Sequence, residues 1–212
     1  MKIFHALSLS DKKFYQIKKL FEVLLSVAEG PEGFREAFMK ENQYPIGKYE
    51  PQPFSEKQLQ DWLIDIKFLP QHLENALLNL DEAQLDTPYR DGGWTVKQLA
   101  HHVADSHMNA YVRFKLALTE DTPTIKPYEE KLWAEMIDTK TIPVNVSITL
   151  LHALHLRWHS ILANMSSADL DRTVYHPEHK KEITLWHLLG MYAWHGRHHT
   201  AQVVTLRENM GW

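Results

Sequence analysis

Three histidines crowd the stretch GMYAWHGRHHTAQ, Gly190 to Gln202. On a helix turning about 100° per residue, Leu185, Leu188, Tyr192, His195, His199, Val203 and Leu206 fall on one stripe. His195 and His199 therefore sit one turn apart in the middle of an apolar face. His198 and His187 fall to either side of it, and Arg197 points nearly opposite. A lone histidine on such a face is usually a core residue satisfied by a hydrogen bond. Two on successive turns are harder to satisfy that way, because both polar rings need partners. The same i, i+4 spacing lets one helix give two ligands to a single metal ion.

A third ligand is offered by the segment beginning at Thr95. Its core stripe reads Val96, Leu99, Val103, Ser106, Ala110, Phe114 and Ala117. His101 points roughly opposite that stripe, whereas His102 lies at its edge, where a bundle helix meets its neighbour. Ser106, Asn109 and Arg113 continue that edge as a polar seam, and facing a cavity they would orient a substrate. We therefore expect His102, His195 and His199 as metal ligands. Asn109, Arg113 and Trp94 are the expected substrate side, set against Trp94 packing at the helix start and Arg113 pairing with Glu120 or Glu129. Asp105 points the wrong way to orient His102. His155 faces the core of the next segment, with Ile148, Leu151, Trp158 and Leu162. Its role is open between a fourth ligand, a general base and a ring satisfied by hydrogen bonds. His152, His159, His176 and His179 are peripheral or loop-borne.

Three neutral imidazoles leave a divalent ion its full charge and at least one open position, the pattern of a catalytic site. Such an ion lowers the pKa of bound water toward about 7 and polarises a substrate oxygen. It can equally hold a thiol as thiolate. Imidazole suits both zinc and nickel, so one divalent ion per chain of either kind is expected. With no cysteine among 212 residues and 14 histidines, any transition metal must rely on histidine and carboxylate. The formal charge of −4 gives no basic field for nucleic acid. No apolar run approaches the roughly 18 residues of a membrane span, and Asp11, Lys12, Lys13 and Gln16 interrupt any signal-peptide core.

Four helical segments must position these groups. The first runs from Ser55 to Leu80, with Ser55 and Gln58 as a capping box and Pro70 predicting a kink. The others span Thr95–Leu118, Ser147–Met165 and Thr184–Met210. Thr173–Tyr175 is predicted to pair briefly with Glu182–Thr184. The pattern predicts an all-α four-helix bundle. The connection between the second and third helices is too long for a tight hairpin, so a long crossover is expected there.

YPIGKYEP, the run LDTPYRDGGWTVKQLAHHVADSHMNAYVRFKLALTEDTPTIKPYEEKLWAE, LHLRWHSIL and MYAWHGRHHTAQ together resemble the YfiT-type metal-dependent hydrolases. Those belong to the DinB-like superfamily of four-helix bundles, which also includes zinc-dependent bacillithiol S-transferases. The similarity covers residues 44–212. The family's metal triad maps onto His102, His195 and His199. The resemblance implies a cytoplasmic homodimer and a small-molecule substrate. Water activation for hydrolysis is the leading reading. Its rivals are S-transfer to or from a low-molecular-weight thiol, and a bundle that binds metal without catalysis. Residues 1–43 lie outside the match as an N-terminal extension. Either Ser10–Val27 forms an extra amphipathic helix, with Phe14, Ile17, Phe21 and Leu24 at helical spacing, or translation starts at Met39.

Overall fold

Side chains that cap helices set where the long elements begin, and so fix which residues face inward. In α1 (Glu56–Leu77), the Ser55 hydroxyl accepts from the backbone N–H of Gln58. A short α2 (Glu82–Leu85) precedes α3 (Val96–Thr119), which opens on a capping box between Thr95 and Gln98. Next come α4 (Glu130–Trp133), α5 (Ile137–Thr141) and α6 (Val144–Leu162), the last starting straight after Pro143. A turn of helix, α7 (Ser167–Leu170), leads into a hairpin of β1 (Thr173–His176) and β2 (Lys181–Thr184). Its antiparallel register sets Val174 against Ile183 and Tyr175 against Glu182. Finally α8 (Leu185–Met210) is capped by Thr184 and closed by Gly211 at φ 72°, a left-handed position suited to glycine.

This computed structural model describes residues 43–212. The Ser10–Val27 helix and the Met39 start lie outside the described residues. Within the compact unit Tyr44–Trp212, α1 packs on α6 and α8, and α3 packs on the same two. The four long helices thus form a bundle with α1 and α3 across one diagonal. The expected long connection, 120–143, joins the neighbours α3 and α6. The passages that cross the bundle are those from α1 to α3 and from α6 to α8. The length of 120–143 is spent on α4, α5 and the turn before them, which cover one side of the bundle.

The core divides into two apolar clusters along the bundle axis. One gathers Trp62, Phe114, Trp158, Leu185 and Leu189; the other gathers Leu73, Leu99, Val103, Leu151 and Val203. Between them, at matching heights on three helices, lie His107, His155, His195 and His199. This is a polar layer enclosed above and below by hydrocarbon. Pro70 sits inside α1 at the same level, in a helix that runs on to Leu77.

Close approach of α1 and α8 depends on two glycines. A Cβ at Gly190 would lie 2.5 Å from the Trp62 ring and 2.6 Å from the Tyr49 hydroxyl, and one at Gly196 would lie 2.7 Å from Leu69. The leading segment rests on α8 through indole N–H donors, Trp186 to the Gln52 carbonyl at 2.8 Å and Trp194 to that of Gly47 at 3.2 Å. Because Trp62 is buried and Gly190 leaves it no slack, Gly190→Ala is expected to cost about 1–3 kcal/mol by overpacking. Urea unfolding measures this; an unchanged midpoint would mean the crossing is looser than described.

Candidate metal centre

The phase that Thr95 imposes on α3 turns Val96, Leu99 and Val103 into the core and brings His102 to the edge facing α8. His195 and His199 face it from α8. The three rings meet through the same atom. His102 Nε2 lies 3.2 Å from His195 Nε2, and His199 Nε2 lies 3.2 Å from it as well. The three donor atoms all fall within 4.8 Å of one another. Four-coordinate sites with metal–nitrogen bonds of about 2.0–2.1 Å set neighbouring nitrogens roughly 3.3 Å apart. The observed spacing therefore matches the size of a divalent transition-metal ion.

Protonation state agrees with that fit. Burial pushes the His102 imidazole down to about 4. Burial and the neighbouring imidazoles hold His195 and His199 well below the usual range. All three rings are thus neutral, the form that binds metal. His199 Nδ1 lies 2.8 Å from the Gln202 amide oxygen, which can only accept. Its proton therefore sits on Nδ1, and the Nε2 lone pair is bare. Neutral imidazole nitrogens gathered this closely are a donor set that a cation accommodates.

Around this group the structure sorts the other sequence candidates. His155, 1% exposed, donates from Nδ1 to the Ile66 carbonyl at 2.5 Å, and its Nε2 lies 3.1 Å from His107 Nδ1. It stands outside the three-ring group, as a ring satisfied by hydrogen bonds. His107 was not singled out from sequence, although it lies within about 20° of the line through Val96 and Phe114; assigning Ser106 to the stripe hid it. His101 is not turned to solvent. It is buried, with Nδ1 2.7 Å from the Ser147 hydroxyl and Nε2 3.1 Å from the Ile142 carbonyl, because the start of α6 returns over that face. His198 is buried too, its ring stacked on Trp194 at 4.5 Å. Trp94 lies against the His102 ring at 4.5 Å, shielding it. Asn109 spends its amide N–H on the Asp105 carbonyl of its own helix, 2.9 Å away. The Asp105 carboxyl is pushed up to about 6 by burial and by Asp138.

A cavity of about 520 Å³ opens beside His195. Its inner wall holds Ser106, Arg113, Tyr128 and Tyr192; its rim carries Glu129, Glu130, Lys131 and Glu178. Asn109 lines an adjoining cavity instead. Arg113 pairs with neither Glu120 nor Glu129 in this wall but donates from Nη1 to the Tyr192 hydroxyl at 2.8 Å. Burial pushes the Tyr128 phenol up to about 12 and raises Tyr192 also, so both keep their protons and act as donors at neutral pH. Tyr128 comes from the 120–143 connection, a contribution with no periodic signal in the sequence.

The helical bundle belongs to a recognised class of proteins. Residues 66–203 match the DinB superfamily, and the chain belongs to it. A Bacillus cereus (strain 03BB102) protein named "Putative metal-dependent hydrolase" is 51% identical over 175 residues, covering 82% of this chain and 100% of the relative. A Bacillus mycoides (strain KBAB4) protein of the same description is also 51% identical with the same coverage. Among solved structures, YfiT from Bacillus subtilis superposes with a TM-score of 0.79 at 47% identity, covering 81% of this chain and 99% of that one. It is described as a probable metal-dependent hydrolase with an unusual four-helix bundle topology.

The buried imidazoles make the apoprotein acid-sensitive. Burial holds His102, His155 and His198 at about 4, against 6.5 in the unfolded chain. Between those values the unfolded chain binds more protons, so stability present above about pH 6.5 is lost as pH falls toward 4. The urea midpoint of metal-free protein should hold from about pH 8 to 7 and drop steadily from about 6.5 to 4.5. A midpoint flat across that lower range would contradict the neutral, buried rings.

Proposed function

We propose that the chain is a metal-dependent hydrolase in which His102, His195 and His199 hold one divalent ion, zinc or nickel. The observation that carries this is the meeting of three Nε2 atoms, two pairs of them at 3.2 Å, at the wall of a substrate-sized cavity. Such an ion keeps its full charge among neutral ligands, polarises a substrate oxygen and lowers the pKa of water it binds toward about 7.

The chain's own residues supply the rest. Arg113, fixed by Tyr192, presents its remaining N–H groups to an anionic or oxygen-rich part of a small-molecule substrate. Tyr192 accepts from Arg113 and keeps its own proton to donate into the cavity. Tyr128 and Ser106 form a second polar pair opposite. Trp94 and the two core clusters keep water from the far side of His102 and His199, so the approach to the site is from the His195 side. Among the described residues, no helix is long and apolar enough to cross a membrane. A cytoplasmic homodimer completes the reading, with exposed Met108, Val112, Val146 and Leu150 on the neighbouring helices α3 and α6 available to a second copy.

Elemental analysis of untagged protein tests the centre. We expect about one zinc or nickel per chain in the wild type and loss in both His102→Ala and His199→Ala; no uptake by the wild type would end the reading. Ester and amide libraries, run with and without small thiols, then test the reaction. Hydrolysis without thiol, abolished with the metal, is the expected result. Turnover only with thiol would reassign the protein to S-transfer, and bound metal with no turnover would leave a binding protein. Arg113→Met should raise KM for anionic substrates about tenfold or more, the worth of a hydrogen bond to a charged group.

A further inference from the structure

We propose that a one-way hydrogen-bond relay, from the Ile66 carbonyl through His155 and His107, sets the tautomer of His195 and aims its Nε2 lone pair at the other two rings. This rests on the metal-centre reading and adds positioning residues that the triad alone does not include.

The relay begins with a defect in α1. In an α-helix the carbonyl of residue 66 accepts from the N–H of residue 70, but residue 70 is proline and has no N–H. The Ile66 carbonyl is left without its helical partner inside the protein, a costly state for a buried acceptor. His155 Nδ1, reaching across from α6, lies 2.5 Å from it. A carbonyl can only accept, so His155 carries its proton on Nδ1 and leaves Nε2 as an acceptor. His107 Nδ1, 3.1 Å from that nitrogen, must then donate, which leaves His107 Nε2 as an acceptor. His195 Nδ1, 3.2 Å away, donates in turn. Its Nε2 is therefore unprotonated where it meets His102 and His199.

Each neutral imidazole hands on one polarity, so the fixed direction at the carbonyl propagates without a choice at any step. Reversing His195 would set two lone pairs face to face at His107 and aim an N–H at the other two rings. His107 and His155 are 0% and 1% exposed, so no solvent relieves that mismatch. The two ligands from α8 are thus oriented by separate acceptors, Gln202 for His199 and, for His195, the His107 Nε2 whose direction the α1 carbonyl sets through His155.

The test reads tautomers first. Long-range proton–nitrogen NMR spectra of the metal-free protein should show His155, His107 and His195 all protonated on Nδ1 and bare on Nε2. An Nε2–H on His107 or His195 would overturn the relay. Zinc affinity, measured by chelator competition, then tests its consequence. His107→Leu removes the acceptor and should weaken zinc roughly 10–100-fold, as loss of a ligand's hydrogen-bond partner does. His107→Gln keeps an amide oxygen near the Nε2 position and should stay within a few-fold of wild type. Equal affinity for His107→Leu and wild type refutes the role, and so does a His107→Gln protein as weak as His107→Leu. If His107→Leu does not fold, the wild-type spectra and the His107→Gln affinity still decide. A wild type that shows these tautomers yet takes up no zinc removes the metal reading and leaves the relay standing.

Discussion

Everything in this bundle accommodates one demanding juxtaposition: three neutral imidazoles brought together at their Nε2 atoms, between two apolar clusters and beside a cavity. Left alone, the rings would turn away from one another or take up protons. They do neither, because hydrocarbon encloses the layer on both sides and their Nδ1 protons on α8 are committed elsewhere. Trp62, Phe114 and Trp158 fill one side, Leu73, Val103 and Leu151 the other. Burial costs the charged imidazolium more than it costs the neutral ring. The same enclosure that stabilises the fold therefore prepares the donors.

Packing precision matters more here than in an ordinary bundle. His195 and His199 of α8 meet His102 of α3; behind His195 stands His107, tied through His155 to the Ile66 carbonyl of α1, and behind His199 stands Gln202 of α8 itself. A shift between α1 and α8 would pull on His155 and on the ring column it anchors. Gly190 and Gly196 let those two helices close to contact with Trp62 and Leu69. Interiors at native density transmit such displacements instead of absorbing them.

The legible part of this design was the part that depends on one helix at a time. His195 and His199 share a stripe whatever packs on it, and the phase set by Thr95 separates His102 from His101. The bundle, the caps at Ser55, Thr95 and Thr184 and the β1–β2 hairpin were legible for the same reason. By contrast, α6 starts at Val144 behind Pro143, three residues before the expected Ser147, with no side-chain cap to mark it. Ser55 caps α1 without the reciprocal Gln58 bond of a full capping box. What required the third dimension was hidden. His101 looked outward until α6 came back over it. Nothing periodic marks Tyr128 or Glu178, which reach the cavity on connections. His107 was recoverable, for it sits on the core line of α3, but a histidine there looks like one more buried ring until its partners are known. The long 120–143 connection suggested a crossover; its residues instead serve as a wall.

Pro70 shows how a single residue carries meaning at two levels. By local rules it predicts a kink, and α1 continues past it to Leu77. Its consequence is a missing donor, and the freed carbonyl belongs to the residue that faces His155. Both ends of the hydrogen-bonded system are neutral oxygens, the Ile66 carbonyl and the Gln202 carboxamide. A carboxylate in either place would also fix the tautomer, as it often does behind metal-binding histidines. It would add negative charge through the ring and lessen the field available at the cavity. Neutral acceptors orient the rings without that loss. On the proposed reading, in which the bundle presents a strongly polarising ion to a substrate, there is reason to anchor its histidines on a proline's leftover carbonyl and an amide.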